Sequence, residues 1–177
     1  MKILLCGGSK SGKSYLGQRL AKKLAGDGPM YYLATMIPGD SEDLARIDRH
    51  REDRAGWGFE TVECGRDLFQ ALERMDRAGT VLLDSVTALL ANEMFSGGEM
   101  DRNAPWRTSE ELRCLGQRCR NVIYIADDIF SDAGRYEETT EFYRRGLAQV
   151  DRILAEQCDT VAELCSGIPV LFKGELP

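Results

Sequence analysis

Gly7-Gly8-Ser9-Lys10-Ser11-Gly12-Lys13-Ser14 decides how this chain is read, because it fits the pattern G-x-x-x-x-G-K-[ST]. In a loop of this kind successive backbone N–H groups face a bound anion, glycines let the main chain come close, and the following helix turns its positive end to the phosphates. Lys13 then reaches the β- and γ-phosphates of a nucleoside triphosphate, and the Ser14 hydroxyl binds Mg²⁺. The bare alternative is a glycine-rich turn without a ligand. The context argues against it: Ile3-Leu4-Leu5-Cys6 before the loop reads as a buried strand, and Leu16, Leu20 and Leu24 after it recur at helical spacing.

Working outward, 177 residues with 43 % hydrophobic content suffice for one domain with a proper core. A net charge of −6 and a pI near 5.0 argue against a nucleic-acid-binding surface, which would normally show as a basic excess. After Lys2 only three apolar residues precede Cys6-Gly7-Gly8, too few for a secretory signal, and no apolar run approaches the length of a membrane span. The expectation is a soluble, cytoplasmic protein. Cys6, Cys64, Cys114, Cys119, Cys158 and Cys165 form no C-x-x-C pair and have a single histidine to join them, so they read as reduced thiols rather than a zinc site.

Along the chain, Gly26-Asp27-Gly28-Pro29 stops the first helix, and Met30 to Thr35 follows as a second buried strand. A charged helical run extends from Glu42 to about Arg54 and is broken by Gly56-Trp57-Gly58. Phe59 to Cys64 alternates like a strand, Leu68, Leu72 and Met75 mark a helix ending by Gly79, and Val81-Leu82-Leu83-Asp84 is an apolar strand closing in a carboxylate. Thr87 to Phe95 reads as helix, Ser96 to Thr108 as a mobile loop, and Glu110 to Arg118 as a further helix. Val122 to Ala126 is a fifth strand ending at Asp127-Asp128, and Tyr143, Leu147, Val150 and Leu154 form one stripe of a long helix. Thr160–Cys165 and Pro169–Lys173 flank Ser166-Gly167 as a hairpin. The fold class expected is α/β: a phosphate-loop NTPase-like, mostly parallel sheet flanked by helices, with an antiparallel hairpin at its C-terminal edge.

Asp84 is the expected second partner of a nucleotide-bound Mg²⁺, since phosphate-loop enzymes pair the loop Ser/Thr with an acid at the end of a neighbouring buried strand. A solvated strand-end carboxylate is the alternative. His50, alone of its type, shares a helical face with Arg46 and Arg54, four residues to either side. Two guanidiniums disfavour a protonated imidazole and grip phosphates, leaving a neutral nitrogen able to attack phosphorus; a lone histidine on a charged helix is otherwise a surface residue. Asp127 and Asp128 read equally as general base, second metal ligand or helix cap.

Gly7 to Ser14, then Tyr32-Leu33-Ala34-Thr35, Asp40, Glu42, Arg46, Ile47, His50 and Arg54 stand at ungapped spacing in a pattern that resembles the bifunctional adenosylcobinamide kinase / adenosylcobinamide-phosphate guanylyltransferase family. Phe59, Thr61 and Glu63 resemble its aromatic-x-T-x-E, Asp84, Thr87 and Asn92 its strand-end acid, Thr and Asn, and Gly167 to Lys173 its ending. Between them the chain departs. Asp127 to Arg135 replaces N-E-V-G-x-G-I-V-P, and the F-R-D-x-x-G-x-x-N-Q run becomes Tyr143-Arg144-Arg145 with Ala148, Asp151 and Arg152.

The resemblance implies a nucleotide site at Gly7, Gly8, Ser9, Lys10, Ser11, Gly12, Lys13, Ser14, Thr35, Arg46, Arg54, Glu63 and Asp84. Ser14 and Asp84 would hold Mg²⁺, and Lys13 and His50 would be catalytic. It implies phosphorylation of the aminopropanol hydroxyl of adenosylcobinamide and transfer of GMP from GTP through a guanylyl-histidine at His50. ATP or GTP is the donor, a corrinoid the acceptor, and a homotrimer the assembly. Two other readings stay open: a phosphate-loop kinase for another small alcohol with a structural His50, and a non-catalytic nucleotide-binding protein.

Overall fold

The computed structural model describes the backbone of residues 1–177 and the side chains of all except residues 41–43, 46, 50 and 53. Seven strands form one sheet: β1 (Lys2–Gly7), β2 (Met30–Ala34), β3 (Glu60–Glu63), β4 (Thr80–Asp84), β5 (Asn121–Asp127), β6 (Thr160–Cys165) and β7 (Ile168–Lys173). Six helices intervene: α1 (Lys13–Ala25), α2 (Ser41–Asp53), α3 (Leu68–Leu72), α4 (Val86–Phe95), α5 (Ala104–Arg118) and α6 (Glu138–Gln157). The strand order is β3-β2-β4-β5-β1-β6-β7, with every pairing parallel except β6 with β7. This is the α/β architecture expected from the alternation of apolar strands and amphipathic helices, including its antiparallel edge.

Central strands are apolar without interruption because both faces are covered. Ile3 and Leu5 of β1 join Leu82, Ile123 and Ile125 beneath α1, whose Leu20 and Ala21 complete that layer. Leu4 points to the opposite face with Leu33, Val81, Leu83, Val122 and Tyr124, packed against α4, α5 and α6 through Leu89, Leu90, Leu112, Leu115, Leu147, Val150 and Leu154. One glycine is required by packing here. A Cβ on Gly17 would lie 2.8 Å from Leu82 Cδ1 and 3.2 Å from Ile125 Cδ1, so α1 settles directly across β4 and β5.

Two boundaries and one strand adjacency differ from expectation. Residues 96–108 are not a single loop, since α5 begins at Ala104, with Pro105 in its first turn. Proline there gives up an N–H that a helix start leaves unbonded in any case. The helix after β3 covers only Leu68–Leu72, with Met75 buried beyond it. The strand carrying Asp84 does not neighbour the strand before the phosphate loop, because β5 lies between them. The crossing of α1 over β5 and β4 brings the two strand ends together at one edge.

Candidate nucleotide and acceptor site

Residues 7–14 turn from β1 into α1 at the carboxyl edge of the sheet, where α/β proteins place their ligands. Gly7 has φ +144°, and a Cβ on it would meet Leu164 O at 2.8 Å and Ser11 Oγ at 3.0 Å. Gly12, at the helix start, has φ 96° and Lys10 φ 59°. The loop is tied from outside: Gly167 N–H donates to Ser11 O at 3.0 Å and Asp128 N–H to Gly7 O at 2.9 Å. Gly8, Ser9 and Lys10 are exposed, while Ser11 and Gly12 are half-buried.

Lys13 is 5 % exposed and folds its ammonium back into the loop. Its Nζ donates to Gly7 O at 2.8 Å and Gly8 O at 2.7 Å and pairs with Asp127 Oδ1 at 3.0 Å. Asp127 itself is fixed through its N–H, which donates to Thr87 Oγ1 at 2.8 Å, and Tyr143 OH donates to Thr87 O at 2.9 Å. The two strand-end acids therefore divide their work. Asp127 faces the lysine, whereas Asp128 caps a turn by accepting from Phe130 N–H at 2.9 Å and from Ser131 Oγ.

Ser14 Oγ donates to Asp84 Oδ2 at 2.7 Å, so the two residues expected at the metal meet. A hydroxyl and a carboxylate are the hard oxygen donors that Mg²⁺ takes alongside phosphate and water oxygens. The donor set fits that ion. Among the described residues no group of three or more His, Cys, Asp or Glu side chains could hold a metal without such outside ligands, and all six cysteines are free thiols.

A cavity of about 520 Å³ opens beside this pair. Asp84, Asp127 and Thr87 line it from the sheet edge, Arg51, Arg54 and Glu63 from the α2 and β3 side, and Met36, Leu44, Ile47, Ala88 and Ala91 supply an apolar wall. Arg54 is 8 % exposed; its guanidinium lies 3.8 Å over the Tyr32 ring and Nη2 donates to Thr61 Oγ1 at 3.5 Å. Glu63 is paired with Arg51, which also reaches Asp48 at 3.4 Å.

Thr35 is placed differently from the other expected contacts. It is fully buried, and its Oγ1 both donates to Ser85 O and accepts from Ser85 N–H, each at 2.7 Å. Its hydroxyl is spent on joining the β2 and β4 ends and does not face the cavity. Arg46 and His50 belong to α2, and their side chains lie outside the described residues.

Sequence reasoning passed over Arg51, Tyr32, Thr87 and Tyr143 as site residues. Arg51 sits beside His50 but carries no pattern of its own, and the other three stood in the family pattern without a role, which comes only from what they touch across the sheet. Behind the site, Asp151 of α6 has one carboxylate oxygen, Oδ1, buried without a hydrogen-bond partner among the described residues. Burial first, then the negative charges of Asp127 and Asp128, push its carboxyl up to about 7. Burial, with Asp151 next in effect, likewise raises the Cys6 thiol to about 12, leaving it un-ionised and unreactive at neutral pH.

Comparison with known proteins bears on this geometry. The profile of the family described as cobinamide kinase / cobinamide phosphate guanyltransferase matches residues 3–172. The bifunctional adenosylcobalamin biosynthesis protein CobP of Pseudomonas aeruginosa is 32 % identical over 183 residues, 99 % of each chain. Among solved structures, an ATPase domain aligns with a TM-score of 0.55 at 13 % identity, over 99 % of this chain and 78 % of that one. The flagellar accessory protein FlaH of Methanocaldococcus jannaschii aligns at 0.52 and 13 % identity, over 98 % and 78 %. These last two likenesses concern the fold alone.

Proposed function

The chain belongs to the cobinamide kinase / cobinamide phosphate guanyltransferase family of cobalamin biosynthesis and is a transferase, and from that premise we propose that it carries out both reactions at the cavity between α2 and the sheet edge. The observation that carries the proposal is convergence. Asp84 and Asp127, the partners of Ser14 and of the phosphate-loop Lys13, line one cavity at the carboxyl edge of the sheet together with Arg51 of α2 and Arg54 just after it.

In the kinase reaction the loop amides and the α1 N-terminus hold the triphosphate of ATP or GTP, and Lys13 neutralises charge developing on the transferred phosphoryl group. Asp127 and the Gly7 and Gly8 carbonyls keep the ammonium within the loop, so it is oriented before the nucleotide arrives. Ser14 and Asp84 would hold Mg²⁺, which supplies neutralisation of phosphate charge when bound. The hydroxyl of adenosylcobinamide enters over the apolar wall of Met36, Leu44 and Ile47. In the second reaction His50, as neutral imidazole, attacks the α-phosphate of GTP and expels pyrophosphate, and the nucleotidyl-enzyme passes GMP to the cobinamide phosphate. Arg51 and Arg54 offer guanidiniums to the phosphates from the same helix and the turn after it.

A kinase without the second activity is the competing reading, and the departure of residues 127–135 from the family pattern bears on the acceptor rather than on the nucleotide site. Incubation of the protein with adenosylcobinamide, ATP, GTP and MgCl₂, followed by chromatography of the corrinoids, tests both. The proposal expects the phosphate and then the GDP-linked product. Accumulation of the phosphate alone selects the kinase, and an unchanged corrinoid rejects the acceptor.

A further inference from the structure

Tyr32 lies between the two halves of this site and lines its cavity. It is 4 % exposed on β2. Its hydroxyl donates to Asp84 Oδ2 at 2.7 Å, the same oxygen that accepts from Ser14 Oγ at 2.7 Å. Its ring is covered on one face by the Arg54 guanidinium at 3.8 Å and is met edge-on by Phe59, with centroids 6.1 Å apart at 84°. One side chain therefore touches the expected metal carboxylate with its tip and the α2 end of the cavity with its body.

We propose that Tyr32 is a positioning residue that presents Asp84 to the divalent cation, and that its ring separately docks Arg54 over the cavity. The inference rests on the Mg²⁺ role given above to Ser14 and Asp84. Two donors from different elements, α1 and β2, converge on one carboxylate oxygen and so fix the rotation of the group. Ser14 must also give its lone pairs to the cation, which leaves Tyr32 as the donor dedicated to Asp84. Hydrogen-bonded partners of metal-binding carboxylates set ligand orientation, and their loss typically costs 10–100-fold in metal affinity.

Tyr32→Phe separates the two contacts, since the ring, its packing and the Arg54 stack remain while the hydroxyl goes. GTP affinity is measured by calorimetry in EDTA and across a MgCl₂ titration, for wild type and variant, with thermal unfolding alongside. The expected result is an unchanged affinity in EDTA and a rise of about tenfold in the MgCl₂ concentration that half-restores tight binding. An unchanged MgCl₂ midpoint overturns the inference, and so does an equal loss of affinity with and without metal, which would make the hydroxyl a part of the fold only. If wild type itself binds GTP without dependence on MgCl₂, the metal role of Ser14 and Asp84 falls, and this inference falls with it. A metal-dependent wild type with an indistinguishable variant leaves that role standing and removes Tyr32 alone.

Discussion

Replacing Asp151 with Asn should change how stability depends on pH, and the structure sets the size of the effect. The Asp151 carboxyl, ordinarily titrating near 3.8, is held at about 7 by burial and by Asp127 and Asp128. The native state therefore keeps a proton that the unfolded chain has released, and over that interval stability falls as pH rises. The favourable contribution is complete below the ordinary carboxyl value and is lost by the time pH passes the raised one. At about 1.4 kcal/mol per pH unit, the interval from 3.8 to about 7 corresponds to about 4 kcal/mol between its two ends. An amide does not titrate, and asparagine is the residue the family pattern carries at this position. Urea unfolding of wild type and Asp151→Asn at several pH values through that interval gives the difference directly. The variant should gain on wild type by about 1.4 kcal/mol per pH unit and then level off near neutrality. The constant offset contains the packing of the amide and decides nothing. A difference that stays flat from acid to neutral pH would mean that Asp151 titrates alike in both states, against its burial beside Asp127 and Asp128.

Two further outcomes concern the loop. Gly7→Ala forces a side chain into φ +144° with its Cβ 2.8 Å from Leu164 O; thermal unfolding should show a loss of about 2 kcal/mol or more, and an unchanged midpoint would contradict the loop geometry. Lys13→Ala should keep the fold and weaken GTP and ATP binding about tenfold to a hundredfold, the worth of a hydrogen bond to a charged group, with calorimetry as the measurement and equal affinity as the failing result.

Much of this molecule is written locally. The loop from Gly7 to Ser14 has the spacing of a phosphate-binding loop in the context of a strand and a helix, and the buried strands are apolar over four or more residues, so the α/β class and the antiparallel ending followed from the chain alone. The start of α5 did not, because Ala104-Pro105 follows a glycine- and asparagine-containing stretch and proline serves both loops and helix first turns. Strand order was also hidden: the insertion of β5 between β1 and β4 is a property of packing, with α1 rather than strand adjacency carrying Ser14 to Asp84. The same holds within the site. Asp84 and Ser14 were legible from a motif and a strand end, but the pairing of Lys13 with Asp127 spans over a hundred positions and exists only once β5 lies beside β1. Thr35 matched a pattern and turned out to hold two strand ends together, because a motif position records what must be present without recording which way it faces.

Whether one phosphate-loop cavity serves a nucleotidyl transfer through α2 as well as a phosphoryl transfer is decided by the covalent adduct. Wild type and His50→Asn are incubated with α-labelled GTP and MgCl₂, then examined by intact mass and by release of the label in acid and in base. One added GMP is expected on wild type, stable in base and lost in acid as a phosphoramidate is, and none on His50→Asn, while phosphorylation of the corrinoid by ATP continues in both. Formation of the adduct should decline as pH falls through the histidine pKa, since the attacking nitrogen must be unprotonated. A wild type that transfers the γ-phosphate yet forms no adduct at any pH, or an adduct that persists in His50→Asn, would contradict a nucleotidyl transfer through His50.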